Sequence, residues 1–275
     1  MTTIAAQPEA GLTTGYADVA GHSTWYADSR SAGEPLLMLH GGLSHSDAML
    51  RSIKPALSDR FRVVAFDRRG HGRTADTEAA FHYADMATEA IDVLETLIGA
   101  PTHLVGWSDG GIVALLVALS RPELVRSLVL IGTNYNTDGW IPNASGDSPS
   151  GDSPFMATAR KSYVERSPDG PAHFDVVVKK SAAMWSTEPT LRIDDLRTVS
   201  CPALVIAGDD DLVALAHTAS LYESLPRGQL AVVPGTSHAV VLEKPDFVSR
   251  LIGDFLSASG TPETRLPVRR RSAGK

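Results

Sequence analysis

Cys201 is the only cysteine among the 275 residues, which excludes an internal disulfide and any cysteine-based metal cluster. It precedes Pro202 at the head of an apolar run and reads as a small buried hydrophobe. No apolar run approaches the ~20 residues needed to cross a bilayer. Residues 1–10 lack the basic-then-apolar order of a secretory leader. The expectation is a cytoplasmic protein without a membrane partner. Basic charge is also scarce: 25 Lys and Arg stand against 32 Asp and Glu, a formal net charge of −7. A phosphate-binding surface needs clustered Lys and Arg, so nucleic acid is not the expected partner. The one basic cluster, Arg269, Arg270 and Arg271, follows Pro262 and Pro267 in residues 259–275 and reads as a disordered, solvated tail. With its one thiol read as buried, the chemistry falls to serine, histidine and carboxylates, with no metal or organic cofactor required.

The chain is long enough for one large α/β domain with a well-buried core. Residues 16–26 alternate like a hairpin broken at Ala20 and Gly21. Short, continuous apolar runs at residues 36–39, 61–66, 102–106, 126–131, 203–207 and 229–233 suit parallel strands covered on both faces. Helical spacing appears at 85–97, 112–119, 155–166, 172–185, 216–225 and 245–256. This alternation predicts an α/β fold with a mainly parallel central sheet and helices on both faces. The rhythm lapses between Asn134 and Val199, where residues 143–154 contain the near-repeat Gly146-Asp147-Ser148-Pro149 and Gly151-Asp152-Ser153-Pro154. That stretch is too polar and turn-rich to pack, and it reads as a mobile loop.

In a doubly covered parallel sheet, ligands bind beyond the carboxyl ends of the strands, so a functional residue should sit just after a strand. Four segments do: His40-Gly41-Gly42, Ser108, Asp209-Asp210-Asp211 and His238. Ser108 lies in Gly106-Trp107-Ser108-Asp109-Gly110, between a strand pattern and a helix pattern. A serine at such a turn projects its hydroxyl, and the flanking glycines leave room for the bend. The hydroxyl is a poor nucleophile until a base takes its proton, and neutral imidazole suits that task near pH 7. The imidazole needs an acceptor on its other nitrogen to fix its tautomer. Which of the three adjacent aspartates supplies it is not decided by spacing.

In this order the strand-end segments, together with Asp67-Arg68-Arg69-Gly70-His71-Gly72, resemble the α/β-hydrolase fold superfamily over nearly all of residues 16–256. The resemblance implies a core in two parts, residues 1–133 and 200–258, with residues 134–199 as a small helical cap over the pocket. It implies Ser108 as nucleophile and His238 as base. Asp211, three residues after Gly208, is the implied acid, with Asp210 the alternative. The oxyanion hole is implied to use the amides of Asp109 and Gly42, with Leu43 the fallback. Leu43, Trp107, Met184 and Trp185 are the substrate-binding candidates. His40 is expected to shape the oxyanion turn and His71 to hold the residue 67–74 loop; His45, His82, His103, His173 and His217 read as surface or satisfied core residues.

The segment Gly106-Trp107-Ser108-Asp109-Gly110-Gly111 further resembles valacyclovir-hydrolase-like esterases, where the aspartate after the nucleophile faces the substrate ammonium. Asp109 therefore has two readings: helix N-terminal charge or receptor for a cation. The expected activity is a serine hydrolase acting on small carboxylic esters or lactones. Carbon–carbon bond hydrolases and cofactor-free perhydrolases of the same fold stay open, as does a small-molecule sensor with little turnover. The sequence leaves a homodimer open too.

Overall fold

The computed structural model describes residues 11–141, 153–258 and 264–268. Eight strands form one sheet in the order β1-β2-β4-β3-β5-β6-β7-β8. They are β1 (Thr13–Val19), β2 (His22–Asp28), β3 (Glu34–Leu39), β4 (Phe61–Phe66), β5 (Thr102–Trp107), β6 (Val125–Ile131), β7 (Ala203–Asp210) and β8 (Gly228–Ser237). The first two pair antiparallel as a hairpin, β2 joins β4 antiparallel, and β4 through β8 run parallel to their neighbours. The expected α/β-hydrolase architecture is the one found.

Alternation along the central strands builds two cores. Leu37, Leu39, Val64, Phe66, Leu104, Leu128 and Leu130 face one, while Leu36, Met38, Val63, Ala65, Val105, Val129 and Ile131 face the other. Because both faces are apolar, each strand reads as an unbroken hydrophobic run. The first core is covered by α2 (Tyr83–Val93) and α3 (Asp109–Ser120); the second by α1 (Ser46–Ser52) and, later in the chain, α9 (Pro245–Leu256). Between β6 and β7 lies an insert with α4 (Pro154–Arg166), α5 (Phe174–Trp185) and α6 (Ile193–Leu196); α7 (Leu215–Ser224) and α8 (Val240–Glu243) complete the helices.

Some boundaries differ from the sequence pattern. The helix expected at 85–97 begins at Tyr83, and after Val93 it widens into a π-turn at Leu94–Ile98, closed by Gly99 at φ 72°. Strands β7 and β8 run on to Asp210 and Ser237 because those two residues pair with each other, a long-range contact invisible in local periodicity. Helices α1 and α6 are too short for their apolar spacing to register. Of the 143–154 stretch read as a mobile loop, residues 143–152 and with them most of the near-repeat lie outside the described residues, as does the Arg269–Arg271 cluster. The last two residues of that stretch differ from the reading, Ser153 capping α4 through the Met156 amide and Pro154 opening the helix. No helix among the described residues is long and apolar enough to cross a membrane.

Candidate active site

Strand β5 delivers Ser108 to its turn with φ 54° and ψ −120°, a left-handed φ that costs a non-glycine residue and persists only where its surroundings enforce it. Here the Ser108 amide donates to the Ile131 carbonyl at 2.8 Å, and the Ser108 carbonyl accepts from the amides of Gly111 and Ile112. A Cβ on Gly110 would collide with the Leu39 carbonyl, and one on Gly106 with the carbonyl of Gly110. The glycines on either side of the serine are thus required by contact.

Ser108, His238 and Asp211 come together in one hydrogen-bonded line. His238 Nε2 is 2.9 Å from Ser108 Oγ, and His238 Nδ1 is 2.6 Å from Asp211 Oδ1. The adjacent aspartates are sorted by how β7 leaves the sheet. A register shift separates Gly208 from Asp210, which pairs with Ser237. Asp209 Oδ1 accepts from the Thr236 amide at 3.1 Å, and Asp209 and Asp210 are exposed. Asp211 turns inward, 6% exposed, where its carboxylate also accepts from the amides of Val213 and Gly208. Burial raises the Asp211 pKa, but the His238 hydrogen bond and charge and those two amides outweigh it, so the carboxyl lies below its ordinary range.

The other eight histidines are spread around the fold. Buried His71 places Nδ1 3.0 Å from the Arg69 carbonyl in the expected loop. His45, His82 and His173 do more than the surface reading foresaw, because each bridges core and insert. His45 Nε2 is 2.7 Å from Ser162 Oγ, His82 Nδ1 is 2.6 Å from Glu188 Oε1, and His173 Nε2 is 2.9 Å from Asp76 Oδ2.

The turn after β3 runs alongside Ser108. A Cβ on Gly41 would lie 3.4 Å from Ser108 Cβ, and one on Gly42 only 2.5 Å from Asp109 Oδ2 and 2.6 Å from the Trp185 ring. Leu43 adopts φ 51° as the chain turns away. The Asp109 amide is in the first turn of α3, where the helix offers it no carbonyl. Its side chain is 2% exposed and fully engaged: Oδ1 accepts from Tyr83 Oη at 2.8 Å and from Trp185 Nε1 at 3.1 Å, and Oδ2 is 3.2 Å from the same indole nitrogen. Burial, the Asp109 charge and this hydrogen bond push the Tyr83 pKa well above that of a free phenol, keeping it a donor.

Of the substrate-binding candidates, Leu43 and Met184 are buried in the first core, with Trp185 packed against it. Trp107 is placed otherwise. Its ring belongs to the second core, beyond the sheet, and its indole N–H donates to the His238 carbonyl at 2.9 Å. As the last residue of β5, its side chain leaves the sheet on the face opposite to the one a Cβ on Gly106 would take, and its ring centroid is 6.3 Å from that of His238. Sequence reasoning missed Tyr83, 26 residues before Asp109, and Trp140, whose ring centroid is 6.1 Å from that of His238. Neither sits in a motif, and no local signal points to either. Among the described residues there is no group of three metal-ligating side chains.

The model of the Alpha/beta hydrolase family matches residues 36–251, spanning every one of these site residues. The chain belongs to this family. Its relatives include a putative carbamate hydrolase RutD from Agrobacterium fabrum, 29% identical over 253 residues, covering 82% of this chain and 95% of the relative. The human serine hydrolase BPHL is 28% identical over 265 residues, covering 89% and 87%. A solved meta-cleavage product hydrolase from Pseudomonas fluorescens IP01, a serine-to-alanine mutant complexed with acetates, superposes with a TM-score of 0.74 at 27% identity, covering 88% of this chain and 97% of that one. These relatives support hydrolase activity for this α/β hydrolase and differ in the bond they cleave.

Proposed function

We propose that this α/β hydrolase cleaves small carboxylic esters or lactones through an acyl-enzyme on Ser108. The observation that carries the reading is the line Ser108 Oγ–His238 Nε2–Nδ1–Asp211 Oδ1 at 2.9 and 2.6 Å. Ser108 Oγ attacks the carbonyl carbon while its proton passes to His238 Nε2 and the carbonyl π pair moves onto oxygen. The amides of Asp109 and Gly42 hold that oxyanion, each worth roughly 10²- to 10³-fold in turnover. Collapse expels the alcohol, which takes the proton from His238, and water then repeats the sequence to release the acid. Asp211 holds the imidazole in the tautomer with Nδ1–H and stabilises the cation that forms.

The Asp109 carboxylate, already accepting from Tyr83 and Trp185, is read as a structural charge at the start of α3, so no preference for ammonium-bearing esters is expected. Carbon–carbon bond hydrolysis is the second reading, favoured by the likeness to the meta-cleavage product hydrolase. Intact-mass spectrometry after brief exposure to p-nitrophenyl acetate, p-nitrophenyl butyrate and an aminoacyl ester decides among these. The expected result is acyl labelling of the wild type and none of Ser108→Ala, with no preference for the aminoacyl ester. Equal labelling of both proteins would sink the acyl-enzyme; hydrolysis of a vinylogous diketone with no ester turnover would select the second reading.

A further inference from the structure

Arg68 is wholly buried, 0% exposed, yet it forms no ion pair among the described residues, and its Nε and Nη1 have no hydrogen-bond partner there. A buried guanidinium is normally paired, because removing a charge from water is expensive. What Arg68 does contact is the turn beside the nucleophile: Nη2 donates to the Gly41 carbonyl at 3.2 Å.

The same carbonyl accepts a second donor. The Arg68 backbone N–H donates to His40 Nε2 at 3.1 Å, so the proton of neutral His40 is on Nδ1. Nδ1 lies 2.8 Å from the Gly41 carbonyl oxygen. Burial, followed by the Arg68 charge, holds the His40 pKa well below its usual value, consistent with that neutral tautomer. The Gly41 carbonyl belongs to the same peptide unit as the Gly42 N–H. In a trans peptide these two groups point in opposite directions, so a carbonyl turned inward to Arg68 and His40 turns the Gly42 N–H outward, toward the pocket side of the turn.

We infer that Arg68 is an electrostatic positioning residue for the oxyanion hole: through the Gly41 carbonyl it orients and polarises the peptide whose Gly42 N–H receives the developing oxyanion. Two donors on the carbonyl, one of them charged, strengthen the N–H at the far end of the peptide, as hydrogen bonds in series do in a low-dielectric interior. The Arg68 charge, felt through space by the carboxylates of Asp109, Glu89 and Asp67 but ion-paired with none of them among the described residues, also adds positive potential behind the oxyanion, which is negative only in the transition state. An arginine kept at a cost in stability is accounted for by such a gain. The inference rests on the acyl-enzyme reading above.

The test compares wild type, Arg68→Met, Arg68→Lys and Ser108→Ala with p-nitrophenyl acetate. Inhibition is measured with an aryl trifluoromethyl ketone, which forms an oxyanion on the serine, and with the matching methyl ketone, which binds without one. For Arg68→Met we expect kcat/KM to fall tenfold or more and the Ki of the trifluoromethyl ketone to rise by a similar factor. The Ki of the methyl ketone should stay within twofold and Tm should be no lower than in the wild type, because a neutral side chain of similar reach removes an unpaired buried charge. Arg68→Lys should recover a substantial part of the lost rate. A parallel change in both inhibition constants, a lower Tm or failure to fold would assign Arg68 a structural role and overturn the inference. Wild-type turnover that survives in Ser108→Ala would instead remove the acyl-enzyme reading and this inference with it.

Discussion

The sheet and the insert are held in place by different forces. The carboxyl-terminal halves of β3, β5 and β6, at Leu36–Leu39, Leu104–Trp107 and Leu128–Ile131, are apolar and buried, and Ser108 and His238 hang from that framework. The insert adds charge to apolar packing: Phe174, Val177 and Met184 of α5 and Leu196 of α6 join the first core, and polar contacts tie down the rest. Arg166 of α4 meets Asp47 at 3.2 Å, where Arg73 also binds. Lys180 and His173 meet Asp76, whose side chain is 1% exposed, and Trp185 of α5 reaches Asp109. Helix α4 buries only Ala159 and Tyr163. Apolar burial is indifferent to pH, whereas ion pairs and hydrogen bonds to histidine are not. The scaffold that carries Ser108 and the insert should therefore respond to different perturbations.

The largest effect is expected on the sheet side. Asp211→Asn should leave the fold intact and lower kcat by about 10⁴, because an asparagine amide stabilises the wrong His238 tautomer; steady-state kinetics with a p-nitrophenyl ester, beside a thermal melt, measures both. A loss of that size in Asp210→Asn would contradict the inward turn of Asp211.

Asp109→Ala lies where the two regions meet. It strands the Tyr83 hydroxyl and the Trp185 indole, each unsatisfied buried donor costing roughly 1–3 kcal/mol, and frees the end of α5. Denaturant unfolding should show the lost stability, and ester kinetics a KM rise larger than that of any single change on the insert surface. If Asp109→Asn abolished a preference for aminoacyl esters instead, the carboxylate would be a cation receptor.

Asp76→Asn should act mainly on the insert, because Lys180 and His173 belong to it and the core partner, Arg69, is the more distant at 3.5 Å. Burial raises the Asp76 pKa, but Lys180 and His173 outweigh it and the net direction is downward. Its stabilisation is accordingly present above the unfolded carboxyl pKa and lost as pH falls through the folded one. The variant should raise KM several-fold, hardly alter kcat, and show faster hydrogen exchange in α5 than in α3. Equal exchange in both helices would dissolve the distinction between insert and scaffold.

The smallest effect is a slope. Burial, the largest influence on each, lowers the pKa of His45 and His217 to about 4 and that of His71 to about 3, against an unfolded value near ~6.5. Folded, these imidazoles are neutral, so their contribution is complete above pH ~6.5 and drains away as pH falls toward about 4. Urea midpoints should decline over that window, and His45→Asn, which removes one of the titrating rings, should make the decline shallower.

Much of this was legible in the sequence. Two-sided burial makes the parallel strands continuous apolar runs, and a serine between glycines at a strand-to-helix turn announces itself, as does a histidine after the last strand. Local chemistry fixes those features, so local pattern reveals them. Tertiary structure decided what depends on partners far along the chain. Asp211 was chosen over its neighbours by the pairing of Asp210 with Ser237 across β7 and β8. Trp107 went beneath the sheet and Trp185 onto Asp109. Tyr83 and Arg68 gained their contacts with Asp109 and Gly41 from 26 and 27 residues away. A side chain's period in sequence tells which face it occupies; what it meets there is set by the packing of elements that no local signal connects.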